Sequence, residues 1–166
     1  MSKHILNIDK LDYMDWGHGE KFGAKFGLIS RRIGSINLGY NLTVVPAGKR
    51  AFPFHSHRVN DEMFFIVEGE GEIRIGEETH AIRQGDVIAC PPGGPETAHQ
   101  IINTSDAELR YLAVSSNMSP EVAEYPDSDK YGVIIELEGE DSAMPEFWRL
   151  MMKGESTQVD YWEGEG

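Results

Sequence analysis

The chain has 166 residues, with 15 Lys and Arg against 28 Asp and Glu, for a formal charge of −13. That balance argues against a partner gripped by its phosphates, so no nucleic acid is expected, and no apolar run reaches the roughly 20 residues of a membrane helix. A single cysteine, Cys90, excludes an intramolecular disulfide; the opening MSKHILNIDKLDYMDW lacks the basic-then-apolar pattern of an export signal, and the expected location is the cytoplasm.

Residues 1–35 show no clear period and read as an N-terminal arm. From there Ile36, Leu38, Tyr40, Leu42 and Val44 alternate with Asn37, Gly39, Asn41 and Thr43, the period of a strand with two unlike faces. Further β-type runs follow at 62–68, 72–75, 79–83, 86–90, 98–102 and 109–114. They are separated by turn clusters such as Gly69-Glu70-Gly71, Gln84-Gly85-Asp86 and Pro91-Pro92-Gly93-Gly94-Pro95. Many short strands with closely spaced turns predict an all-β sandwich or barrel. Residues 116–131 are polar and hold two prolines; they read as an excursion over the surface, with one helical turn near Pro120 to Glu124. Two β-like pieces at 132–138 and 147–153 and a last one at 158–166 complete a C-terminal extension over 116–166. Trp148 and Trp162 are expected to pack it onto the barrel or onto a partner subunit.

Three histidines and one glutamate carry the chemistry. His55 and His57, two apart, point to one face if they lie on a strand. Glu62 shares a face with Phe64 and Ile66, where a carboxylate needs a compensating charge. His99 follows on a later strand. Three imidazoles and one carboxylate converging inside a barrel suit one divalent transition metal such as Zn, Fe, Mn, Ni or Co, and leave coordination positions for a ligand.

The segment Gly48-KRAFPF-His55-Ser-His57-RVND-Glu62-MFFIVE-Gly69 resembles the first motif of the cupin superfamily. Gly85-DVIAC-Pro91-Pro92-Gly93-GPETA-His99-QII-Asn103 resembles the second, lengthened by Gly94, Pro95 and Glu96 before the histidine. The likeness covers about residues 36–115. The flanks, including Tyr125-Pro126-Asp127-Ser128, are similar to the arms of small single-domain bacterial cupins. The resemblance implies a single domain over 1–166, built as an antiparallel jelly-roll barrel (a double-stranded β-helix). It also implies His55, His57, Glu62 and His99 as metal ligands, and a homodimer.

What such a barrel does depends on its pocket. The expected function is metal-dependent action on a small polar metabolite, a sugar phosphate, keto acid or dicarboxylate, with isomerase, decarboxylase or dioxygenase chemistry. The alternative is a metal-organised module that binds or senses a small molecule without turnover. Tyr40, Arg50, Phe64 and Tyr111 are the candidate substrate contacts; no catalytic acid or base is identified. Asn103 is expected to anchor a turn, and Gly48, Gly69, Gly85 and Gly93 to need positive φ.

Overall fold

The structure is a computed structural model that describes residues 4–137, 146–154 and 163. Short β-rich runs punctuated by glycine and proline become thirteen strands: β1 (Tyr13–His18), β2 (Phe22–Leu28), β3 (Leu38–Val45), β4 (Ser56–His57), β5 (Glu62–Glu68), β6 (Glu70–Ile75), β7 (Glu78–Arg83), β8 (Val87–Cys90), β9 (His99–Ile102), β10 (Leu109–Ser116), β11 (Glu121–Tyr125), β12 (Lys130–Leu137) and β13 (Glu146–Lys153). They form a six-stranded sheet in the order β1-β2-β3-β10-β5-β8, a three-stranded sheet β7-β6-β9 and a four-stranded sheet β13-β12-β11-β4. Every pairing between these strands is antiparallel. The class is all-β, as the short alternating runs require, and the form is that of a jelly-roll barrel.

Two apolar clusters hold the sheets. The larger fills the barrel with Phe26, Val45, Phe64, Ile66, Ile73, Ile101, Leu109 and Tyr111 among others. The smaller, built on Leu11, Ile29 and Leu42, lies on the outer face of β3 with Tyr40 and Leu112 packed against it. The alternation in β3 is therefore used on both sides. Its register sets Thr43 opposite Tyr111 and Asn41 opposite Ala113, while Tyr111 and Ala113 stand opposite Ile66 and Phe64. Residues opposite one another share a face, so Asn41, Thr43 and Val45 look into the barrel, and Tyr40 and Leu42 look outward under the N-terminal segment.

Two segments depart from the sequence reading. The N-terminal arm holds a hairpin, β1 with β2, that extends the large sheet through β3. Residues 121–125, expected as a surface excursion with a helical turn, are strand β11, with β12 on one side and β4 on the other. Neither face of this strand is apolar throughout, since Glu121 shares one with Ala123 and Tyr125 and Glu124 shares the other with Val122. Its state comes from tertiary pairing, to which strand propensity is unusually sensitive. Of the three C-terminal β-like pieces, the first two are β12 and β13; the third, but for residue 163, and Trp162 lie outside the described residues.

Turn chemistry follows the glycines. Gly69 has φ +86°, and a side chain there would meet the Glu108 carbonyl oxygen at 2.5 Å, so only glycine closes the β5–β6 turn. Gly93 does not adopt positive φ; it is required by space, because a Cβ would fall 2.6 Å from Thr97. Asn103 is fully buried and does anchor its turn. Its amide donates to the carbonyls of Val45 and Ala107, and its oxygen accepts from Ser105.

Candidate metal centre

Three strands and an isolated bridge bring the four candidate ligand residues together. His55 forms an isolated bridge with His99, which opens β9. His57 lies on β4 and Glu62 opens β5. The lengthened loop before His99 is absorbed by a 3-10 turn at Pro95–Thr97. His99 emerges as a deeply buried residue, 3% exposed.

Ligand atoms of His55, Glu62 and His99 all lie within 4.8 Å of one another. His57 stands beside this trio, with its ring centroid 5.0 Å from that of His55 and its Nε2 3.5 Å from Glu62 Oε2. Three of the four expected residues thus bring ligand atoms together, and His57 stands beside them.

Proton positions show what that point is suited to hold. His55 Nδ1 is 2.8 Å from the Pro53 carbonyl and His99 Nδ1 is 3.3 Å from the Thr97 carbonyl. A carbonyl only accepts, so each Nδ1 carries the hydrogen and each Nε2 is left with a lone pair. Yet His99 Nε2 lies 2.9 Å from Glu62 Oε2, lone pair toward carboxylate. Such an arrangement is favourable only with a positive charge between the two, either a proton or a metal ion. His57 sharpens the point, because both of its ring nitrogens are buried without an ordinary hydrogen bond. The donor set of imidazole nitrogens and one carboxylate oxygen therefore fits a divalent transition metal.

The ionisation of these side chains reflects the same crowding. Burial, with the neighbouring His99 and His57, holds His55 down at about 4 against the pull of Glu62. Burial also pushes His57 down, but Glu121 and Glu62 outweigh it and raise the ring to about 9. Burial favours the neutral form of Glu62, and the facing His57 and His99 reverse this, holding the carboxyl well below the ordinary range.

The walls are aromatic and partly polar. Phe64 packs on the His99 ring at 5.6 Å, and Tyr111 meets Phe64 edge-on. Phe52 and Tyr125 flank His55 at 6.0 and 6.1 Å, Tyr125 nearly parallel to it. Ser115 and Cys90 stand opposite Glu62 on the two neighbouring strands. Burial, with the charges of Glu62 and Asp61, pushes the Cys90 thiol up to about 12, so it stays protonated.

The four residues expected to contact substrate go to different places. Phe64 and Tyr111 line the barrel interior beside the ligands. Tyr40 belongs to the outer cluster on the far face of β3. Arg50 reaches Gln100 Oε1 at 3.4 Å. Gln100 alternates with His99 along β9, which puts Arg50 on the outer side of that sheet. There it lines a pocket of about 510 Å³ with Trp16, Lys21, Phe54 and Lys130. The sequence reading missed three residues on the inner side: Asn41, Ser115 and Glu121. The polar half of the β3 alternation was a signal for Asn41. Glu121, in a polar segment, carried none.

Residues 41–115 match the family model for the cupin domain. The chain thus contains a cupin domain over that stretch. It is 32% identical over 72 residues to an uncharacterized protein of Methanocaldococcus jannaschii, a match that takes in 43% of the present chain. The matched stretch spans about half (54%) of that relative's length. Among solved structures it superposes with TM-score 0.70 on a sugar phosphate isomerase from a cupin superfamily of Silicibacter pomeroyi, at 24% identity, covering 87% of this chain and 92% of that one. A predicted oxalate decarboxylase of Thermotoga maritima superposes with TM-score 0.60 at 21% identity, covering 69% and 99%. These likenesses establish the barrel and not its chemistry. Among the described residues no helix is long and apolar enough to cross a membrane.

Proposed function

We propose that this cupin is a metal-dependent protein acting on a small polar metabolite, with a sugar phosphate, keto acid or dicarboxylate as the substrate class. The reaction would be of isomerase, decarboxylase or dioxygenase type. The observation that carries the reading is the grouping of His55, His57, Glu62 and His99 in a partly buried cluster whose facing lone pairs call for a cation. A divalent ion held there supplies Lewis acidity toward a carbonyl or carboxylate oxygen. The chain's own contribution is orientation. Pro53 and Thr97 fix two imidazoles, Phe64 and Tyr111 exclude water on the barrel side, and Asn41 and Ser115 share faces with Phe64 and Glu62. The name of the Silicibacter pomeroyi neighbour supports placing sugar phosphates first among the substrates.

A second reading, a metal-organised module that captures a small molecule without turnover, is favoured by one observation. Cys90 beside Glu62 keeps its proton and serves as no base at neutral pH. The experiment that separates the two begins with elemental analysis of protein purified without chelator or nickel resin. About one equivalent of one transition metal, lost in His57→Ala, is expected. Turnover of a panel of sugar phosphates, keto acids and dicarboxylates by the loaded protein then decides for the enzyme, and saturable binding with no turnover decides for the module.

A homodimer in the cytoplasm is part of the same proposal. Phe147, Trp148, Leu150 and Met151 leave apolar surface exposed on β13, an area a second copy would cover. Light scattering at micromolar concentration is expected to give twice the chain mass; a monomer mass removes the dimer from the proposal.

A further inference from the structure

Glu121 is more deeply buried than His57 or Glu62, at 5% exposed, and lies outside the 41–115 span of the family match. Isolating a carboxylate from water costs several kcal/mol unless its lone pairs are met. Here four backbone amides meet them. Oε1 accepts from Arg58 N at 3.0 Å, Val59 N at 3.1 Å and Val122 N at 2.7 Å; Oε2 accepts from Asn60 N at 2.7 Å. Residues 58–61 are the link between β4, which carries His57, and β5, which opens with Glu62. One side chain thus ties down the connection between two expected ligands.

The same Oε2 lies 3.6 Å from His57 Nδ1. The register explains the aim: Ala123 stands opposite His57, so Glu121, Ala123 and Tyr125 alternate onto the face that His55 and His57 share. His55 and His99 each have a backbone carbonyl at Nδ1. His57 has a carboxylate there instead, supplied by β11.

We infer that Glu121 is a positioning residue of the metal centre: it holds the His57 hydrogen on Nδ1 and thereby presents Nε2, beside Glu62, to the metal. The inference rests on the metal-centre reading above. A carboxylate behind a metal-ligating imidazole fixes ring orientation and tautomer and raises ligand basicity, and removing such a partner typically costs about 10–100-fold in metal affinity. Glutamine keeps one acceptor oxygen for three of these amides but turns an NH2 donor toward the Asn60 N–H; what the full negative charge adds beyond that is its effect on the imidazole.

The test uses the full chain with Zn²⁺ as probe, measured by competition with a chromophoric chelator, and E121Q, which keeps the side-chain volume. Failure of the wild type to bind Zn²⁺ overturns the metal-centre reading itself. With wild-type binding in place, the expected result is a loss of about 10–100-fold in E121Q, and equal affinity overturns the role of Glu121.

A purely structural role in the 58–60 turn would also misplace Glu62, and it is separated by a double-mutant cycle. In the His57→Ala background His55, Glu62 and His99 remain and take up added Zn²⁺, though too weakly to keep a metal through purification. There E121Q is expected to cost less than about threefold, the remainder having vanished with the ring. An undiminished loss overturns the inference. Long-range ¹H–¹⁵N NMR of the Zn²⁺-loaded protein gives an independent reading that does not depend on the weakened background. His57 is expected to show one tautomer, hydrogen on Nδ1, in the wild type, and a mixed or altered state in E121Q. An unchanged tautomer counts against the proposal. Should E121Q fail to fold, E121D, which retains the charge but withdraws it from the ring, is read in the same two ways.

Discussion

The 41–115 segment and strand β11 contribute to one site in opposite manners. The first carries all four expected ligands, each on or beside a short strand whose alternation also builds the barrel. The second adds no ligand of its own. It brings Glu121 against His57 and Tyr125 against His55, from a stretch without an apolar face and outside the family match. Side chains that bind must point at a common centre, and that demand writes itself into spacing. Side chains that steady the binders need only reach a ring edge or a turn, and many sequences do so.

The comparison predicts unequal losses. Glu62→Gln and His99→Ala remove atoms from the trio that lies within 4.8 Å, and each is expected to lower Zn²⁺ affinity by more than about 100-fold, beyond the range typical of residues behind the ligands. Elemental analysis after dialysis checks this. Retention of a full metal equivalent by either variant would place the ion elsewhere.

The outer face of β3 breaks the comparison from another direction. Leu42 is 1% exposed in the cluster with Leu11 and Ile29, away from the ligands. Leu42→Ala is expected to cost about 2–5 kcal/mol of stability, the usual range for a buried leucine. Zn²⁺ affinity at a temperature where the variant remains folded should be unchanged. Urea unfolding alongside chelator competition measures both, and a coupled loss of metal would show that the two clusters act as one.

Ionisation gives a third contrast, in protein stripped by chelator. His57, raised to about 9, contributes stability that is complete below its unfolded value near 6.5 and is lost as pH rises through 9. His55, held at about 4, acts in the other direction: the unfolded chain takes up its proton below about 6.5 and the folded one does not until about 4. Glu62, held low, adds stability above the ordinary carboxyl range that is lost in acid. The stripped protein is therefore expected to be most stable near pH 6.5 and to melt several degrees lower at pH 9.5 and at pH 4.5. Metal binding must displace the His57 proton, so Zn²⁺ affinity should climb by up to about tenfold per pH unit toward 9. A flat profile between pH 6.5 and 8.5 would remove His57 from the ligand set.

Much of the candidate site was legible because the chemistry constrains parity and spacing. His55 and His57 lie two apart, Glu62 sits among apolar neighbours, and His99 opens a strand after a proline-glycine loop. The barrel was legible from the same alternations. The assignment of faces was less so. In β3 both faces are covered, so the alternation of Tyr40 and Leu42 with Asn41 and Thr43 does not say which set meets the site, and Tyr40 went to the outer cluster. Arg50 went outside for a related reason, since the irregular stretch before β4 has no period from which to read a face. Glu121 was invisible because its principal partners are backbone amides, which have no sequence signature. Strand β11 itself exists through its register with β4 and β12 rather than through its composition.

Tyr125 is expected to show the smallest effect. Its ring lies at 21° to that of His55, with centroids 6.1 Å apart. His55 is also held by the Pro53 carbonyl and flanked by Phe52, so the stack is one of three restraints. Aromatic pairs contribute about 0.5–1.5 kcal/mol beyond their buried area, and Tyr125→Leu should cost Zn²⁺ affinity about 2–10-fold. Tyr125→Phe keeps the ring and should bind as the wild type does. If the phenylalanine variant loses as much as the leucine one, the hydroxyl and not the ring serves the site. Strand β11 would then supply a reacting or ligand-binding group as well as support, and the contrast between the two regions would fail at this residue.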